Sequence, residues 1–199
     1  AELVLVARDE TALKKAVTDL PGKHHVWEQN LSNTEALKSG VAALLNQHGG
    51  FSILLNNTGG PKGGPLLNAE ENELTSAFQN HVVAAHVLTK ALVPGMKRLK
   101  FGRIINVLST SVKTPLAGLG VSNTIRAAMA NWAKTMSLEL GPYGITVNNV
   151  LPGYTSTDRL SSLKSAVAER SGKSTDEVEE AWLDSIPAGR FGEPSELAA

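Results

Sequence analysis

The sequence predicts an α/β fold: a doubly wound, mostly parallel sheet with helices on both faces. Three observations carry that prediction. Short apolar, β-branched runs alternate with segments of helical period along the chain. The runs are continuously apolar, as in strands covered on both faces. Loops rich in Gly and Pro follow the strand ends, above all Asn56-Asn57-Thr58-Gly59-Gly60-Pro61-Lys62-Gly63-Gly64-Pro65.

Taken in order, Leu3–Ala7 is a buried-type strand ending at Arg8-Asp9, and Thr11–Leu20 is helical until Pro21-Gly22 stops it. His25-Val26-Trp27 is a second strand. Ser32 and Glu35 have the spacing of a capping box that opens a helix to Gln47, closed by Gly49-Gly50. Phe51–Leu55 is a third strand. A long helix covers Glu70–Leu99, with a disturbance expected at Pro94-Gly95. Ile104–Leu108 is the central strand, with Ser109 and Ser111 at its tip, and about five helical turns begin near Ser122. Gly144–Val150 is a further strand, closed by Leu151-Pro152-Gly153. Two amphipathic helices follow at Thr157–Ala168 and Thr175–Leu183, and Pro194 sits in the first turn of another. The chain reads as one domain over 1–199, with 157–185 as a helical lid. It starts inside a strand and stops inside a helix without a C-terminal signal. A first strand, with a glycine-rich phosphate loop, and a last strand are therefore expected beyond the given ends.

Composition narrows the function. With 19 basic and 19 acidic residues and no Lys/Arg-rich run, neither a nucleic-acid partner nor a membrane surface is expected. No apolar stretch reaches the roughly 18 residues of a membrane span. The absence of cysteine fits a reducing, cytoplasmic setting. His24, His25, His48, His81 and His86 lack metal-ligand spacing, so no metal is expected. His81 and His86 are expected to face helix neighbours.

Side chains at the carboxyl end of a parallel strand line the ligand crevice. Ser109 is such a residue. Ser122 and Arg126 lie one turn apart on one helix face and can point at the same crevice. The spacing then carries a resemblance. Asn56-Asn57-Thr58-Gly59, Asn80, Asn106-Val107-Leu108-Ser109, Pro152-Gly153 with Thr157, and Arg190–Pro194 follow one another as the motifs of the short-chain dehydrogenases/reductases do. The resemblance covers essentially the whole chain. It implies a Rossmann-type fold, a nicotinamide cofactor, a carbonyl/alcohol substrate, and site roles for Asn80, Ser109, Asn56, Gly59, Pro152, Gly153 and Thr157.

Two departures stand out. The family carries a Tyr thirteen residues after the catalytic Ser and a Lys four further on; here those places hold Ser122 and Arg126. A phenol titrates near 10 and a cation draws it toward the working pH, whereas an unassisted serine hydroxyl is a poor general acid. Arg126 holds its proton but can hold ribose hydroxyls. Three readings stay open. Ser122 orients the substrate oxygen while Tyr154 or Lys113 supplies the proton; Ser109, Ser122 and a water relay through Asn80 suffice; or the chain is a non-catalytic dinucleotide-binding scaffold acting through oligomerisation. Plainer roles compete throughout: Asn56 as a tie between strands, Ser111 as a turn former, Thr157 as a helix cap, Tyr154 as a packing residue.

In the family, the residue ending the first given strand meets the adenosine ribose. Arg8 there favours a 2′-phosphate and hence NADP, with NAD the second choice because Asp9 follows. Asn30 is expected beside the adenine. The helices at 70–99 and 122–140 are apolar around most of their circumference, which predicts a homodimer or homotetramer paired through them. A sugar-nucleotide-modifying relative is disfavoured, because those enzymes use the same Tyr and Lys.

Overall fold

A computed structural model describes residues 1–198. Strands β1 (Val4–Ala7), β2 (His25–Glu28), β3 (Ile53–Asn56), β4 (Gly102–Val107) and β5 (Ile145–Val150) are parallel wherever they pair. Helices α1 (Glu10–Thr18), α2 (Thr34–His48), α3 (Glu71–Phe78), α4 (Ala84–Leu99) and α5 (Gly120–Leu140) alternate with them, and α6 (Asp158–Ser171), α7 (Thr175–Asp184) and α8 (Pro194–Ala198) follow. The α/β class and the order of elements match the sequence reading. No helix among the described residues is long and apolar enough to cross a membrane.

Burial along β4 and β5 explains the packing. Ile104 and Asn106 are fully buried, and Ile145 and Val147 join Ile104 in one core cluster with Val41 of α2, Leu92 and Met96 of α4, and Ala133 and Leu140 of α5. These three helices thus share one sheet face. A second cluster joins α3 and α5 through Ala77, Val121, Ile125 and Met129, with Leu108 from the tip of β4.

Two expectations need correction. The second helix is capped by Asn33, whose Oδ1 accepts from Ala36 N–H at 3.1 Å; Ser32 instead donates to Asn30 Oδ1. Either residue type caps well, and the turn at Asn30–Asn33 decides between them. The long helix is disturbed at Gln79–Val83, which forms a π-helical turn, and runs on through Pro94. On α5, whose apolar circumference calls for cover on more than one side, Leu138 stays 75% exposed.

The sheet is also not continuous. β1 pairs only with β2, β3 pairs with β4, and β4 with β5. A cavity of about 640 Å³ separates the two groups, lined by Leu3, Val4, Leu5 and Val6 on one side and Ile53, Leu54 and Leu55 on the other. Ile53 and Leu55 remain more than half exposed there.

Candidate active site

The carboxyl ends of β3, β4 and β5 are locked by an amide ladder. Asn56, Asn106 and Asn149 are Cα partners in the two pairings. Asn56 Nδ2 donates to Asn106 Oδ1, and Asn106 Nδ2 donates to Asn149 Oδ1, both at 2.9 Å. The plain role for Asn56, tying strands, is therefore the one seen. Just beyond, Ser109 Oγ accepts from Ser111 N–H at 3.1 Å, and Thr110 N–H donates to Pro152 O, so the β4 tip and the Pro152-Gly153 turn form one wall. Ser111 is buried and its hydroxyl has no partner; its backbone, not its side chain, makes the turn.

Helix α5 is brought against this wall by its first residue. A Cβ at Gly120 would lie 2.5 Å from the Leu66 side chain, so only glycine lets the segment after the Asn56–Pro65 loop approach. Gly64 N–H donates to Gly118 O, and Gly120 N–H to Gly64 O. Ser122 and Arg126 then face the β4 tip together, as the sequence predicts. Arg126 Nε donates to Ser122 Oγ at 3.3 Å, and Nη1 donates to Val107 O at 3.1 Å. Burial, first, and the neighbouring charge of Arg159 pull the Arg126 pKa below its ordinary range.

The π-helical turn supplies the floor. Asn80 turns its amide back to Ser76 O at 2.9 Å. His81 is buried and shares a hydrogen bond with Thr58 Oγ1, so it faces the glycine-rich loop and not a helix neighbour as expected. Burial, then the Arg126 charge, push its pKa down to about 4, partly offset by the Gly59 backbone. His86 does meet a neighbouring helix, edge-on to Trp132 of α5.

The remaining candidates lie around the rim. Tyr154 stacks on Trp182 with ring centres 5.0 Å apart, leans on Phe191, and has its pKa raised by burial. Both facts suit packing under α7 better than proton transfer. Lys113 is exposed on the loop. Thr157 caps α6, its Oγ1 accepting from Leu160 N–H. Asn30 Oδ1 accepts from Ser32 N–H and Oγ–H, so the oxygen expected beside adenine is engaged locally. Arg8 is exposed at the carboxyl end of β1 and makes no ion pair among the described residues. Gly59 has open space above it.

Arg159 of α6 was not foreseen from the sequence. It donates to Pro61 O at 2.8 Å and stands over Gly60 beside Arg126. Glu2, His25 and His48, far apart in sequence, each place a ligand atom within 4.8 Å of the other two. His25 Nε2 and Glu2 Oε1 share a hydrogen bond of 2.6 Å there, at the amino end of β1 and β2, opposite the crevice.

The short chain dehydrogenase family model matches residues 1–168. The 3-oxoacyl-[acyl-carrier-protein] reductase FabG of Vibrio cholerae is 32% identical over 85% of this chain. The chain spans only 65% of that relative's length. The NADPH-dependent reductase BacG of Bacillus subtilis is 29% identical over 99% of the chain and 78% of its own. Among solved structures, YwfH, an NADPH-dependent reductase involved in bacilysin biosynthesis, superposes with a TM-score of 0.91 at 27% identity, covering 99% of this chain and 78% of that one. The L-sorbose reductase of Gluconobacter frateurii, complexed with NADPH and L-sorbose, gives 0.88 at 27%, covering 100% and 77%.

Proposed function

The chain belongs to the short-chain dehydrogenase family, and on that premise we propose that it is an NADP(H)-linked oxidoreductase acting on a carbonyl/alcohol pair. One observation carries the reading: Arg126 reaches from α5 to both Ser122 Oγ and the Val107 carbonyl, at the tip of the strand that leads into Ser109. Hydroxyls and a fixed cation are thereby gathered at the carboxyl ends of the strands, where this fold takes its ligands.

The residues present fit a nicotinamide nucleotide. Arg8, without an ion pair among the described residues, is a guanidinium of the kind that pairs bidentately with a 2′-phosphate, and the open space over Gly59 admits a flat group against the backbone. The cofactor, once bound, supplies or accepts the hydride. The chain does the rest. Because Arg126 Nε–H points into Ser122 Oγ, one lone pair of that oxygen is occupied and its own O–H is left free to donate. Ser122 and Ser109 then hold the substrate oxygen, and the charge of Arg126 steadies negative charge developing on it.

The family's phenol and lysine are replaced by Ser122 and Arg126, so the proton is exchanged with water through these hydroxyls. Tyr154 is tied into an aromatic stack with a raised pKa, and Lys113 is exposed on its loop. Such a relay is slower than a tuned phenol. The protein works as a homodimer or homotetramer through α3–α4 and α5, where Phe78 and Leu138 stay exposed.

NADPH and NADH titrations, with light scattering for the assembly and turnover of ketones and 3-oxoacyl thioesters, test this reading. NADPH is expected to bind at least about 10-fold tighter, the worth of one charge-assisted contact. Ser122→Tyr with Arg126→Lys is expected to raise turnover about 10-fold. Tight binding without turnover, unmoved by the double change, would favour the scaffold instead.

The apolar slot between β1 and β3 further supports a strand lying there in the natural protein, carrying a phosphate-binding loop. Two parallel edges face it, and an unpaired edge leaves backbone groups unsatisfied. Amides in 3–7 and 53–57 are expected to resist hydrogen exchange in protein isolated from its source and to exchange readily in the bare 199-residue chain. Equal exchange in both would remove the strand.

A further inference from the structure

The loop after β3 is overhung by positive charge that no ion pair among the described residues balances. A side chain built at Gly60 would meet Arg159 Nη2 at 3.3 Å and Arg126 Nη2 at 3.5 Å, so the two guanidinium groups converge above one Cα. Each uses some donors on neutral acceptors: Arg126 on Val107 O and Ser122 Oγ, Arg159 on Pro61 O. Neither takes part in an ion pair among the described residues. Lys62 adds a third cation next along the loop. The carboxylate nearest in sequence, Asp158, lines the separate cavity of about 340 Å³ between α6 and α7, together with Lys164 and Glu179.

Two like charges held this close repel unless something lies between them. A planar guanidinium presents five donors, and one or two internal bonds leave the rest free. Arg126 is fixed by the β4 tip, while Arg159 is exposed in the first turn of α6 and approaches from the lid. Gly60 leaves the space beneath them clear of any Cβ.

We infer that Arg126 and Arg159 form a subsite for a carboxylate of the substrate, so that the preferred substrate is an oxo acid whose charged group lies a few bonds from the reacting carbonyl. This rests on the oxidoreductase reading above. The short reach follows from Arg126 itself, which binds Ser122 at the reacting end and faces Arg159 at the other. A phosphate at the far end of a long carrier arm does not meet that geometry. The carboxylate bridges the core-anchored guanidinium and the lid-borne one, which already ties α6 to the Asn56–Pro65 loop through Pro61 O.

The test is calorimetric binding to the NADP⁺-loaded protein, comparing acetoacetate with its neutral isostere acetoacetamide. Acetoacetate is expected to bind about 10-fold to 100-fold more tightly, the range of one charge-assisted contact. Arg159→Gln is expected to bring that ratio down to near one, and Arg159→Lys to keep part of it, with the NADP⁺ affinity of both variants as a parallel readout. Equal binding of the two ligands by the native protein overturns the subsite. So does a preference untouched by Arg159→Gln, or a loss of NADP⁺ affinity in step with the loss of preference, which would assign Arg159 to the cofactor. Because binding is read without turnover, an inactive protein that still prefers acetoacetate defeats only the oxidoreductase reading. Turnover of neutral ketones without that preference defeats only the subsite.

Discussion

Replacing Asn106 by leucine is expected to destabilise the fold by about 2–6 kcal/mol, although leucine keeps its branched shape. Asn106 is 0% exposed and is the only amide of the ladder that both accepts and donates within it. Removing it orphans the Asn56 Nδ2–H donor and the Asn149 Oδ1 acceptor together. An unsatisfied buried polar group costs about 1–3 kcal/mol, which sets the range. Asn56 also borders the apolar cavity, where water can reach it, and that favours the lower half. At about 2–4 °C per kcal/mol for a chain of this size, the melting midpoint falls by roughly 10 °C. Urea unfolding checks it: the midpoint should drop with the slope unchanged. A loss under about 1 kcal/mol would mean that water replaces both partners. Asn56→Ala, which removes a donor and leaves Asn106 bonded to Asn149, is expected to cost less than half as much. The same ladder fixes the strand ends that carry Ser109 and Thr58, so a loosened ladder should blur the site before the chain unfolds.

Much of this was legible in advance, for identifiable reasons. The strands announce themselves because Val4–Ala7, Ile53–Leu55 and Ile104–Val107 are short apolar runs, and the helices because their period and stop signals agree. The meeting of Ser122 with Arg126 follows from a one-turn spacing on a single helix. What escaped depends on contacts between distant segments. Nothing local marks Gln79–Val83 as a π-helical turn, whereas Pro94 carries a breaker's signature and yet sits inside a continuous helix. His81 is separated by 23 residues from Thr58, its partner, and Arg159 by 98 from Pro61. For Tyr154 the sequence left proton donor and packing residue both open, and Trp182 of the lid with Phe191 beyond it decides for packing. The residues of uncertain role were thus those whose environment comes from the lid and the glycine-rich loop.

His81 gives the second large effect, and it is a function of pH. An ordinary histidine titrates near 6.5, but burial and the Arg126 charge lower His81 to about 4 in the folded chain. Above pH 6.5 the imidazole is neutral in both states, so its contribution to stability is fully present. As the pH falls through 6.5 the unfolded chain takes up a proton that the folded chain refuses, and stability declines until about pH 4, where both states are charged. The complete loss is about 3 kcal/mol, of which about 2 kcal/mol has gone by pH 5. His81→Gln cannot be protonated there but keeps a side chain able to bond Thr58. The native protein is therefore expected to lose about 2 kcal/mol more than the variant between pH 7.5 and pH 5, measured as the difference of urea-derived stabilities. Comparing two proteins at two pH values cancels carboxylates common to both, including Glu196, held at about 2 by Arg190. Parallel pH profiles would mean that His81 is hydrated in the folded state. The neutral imidazole also serves the crevice: a proton on His81 would set a cation beneath Arg126, where Arg159 already stands above Gly60, and would weaken the hold of Thr58 on the loop. In the folded protein His81 takes up its proton only near pH 4, so activity should hold through the range in which stability falls and fade as the pH approaches 4, with a shallower fade in His81→Gln.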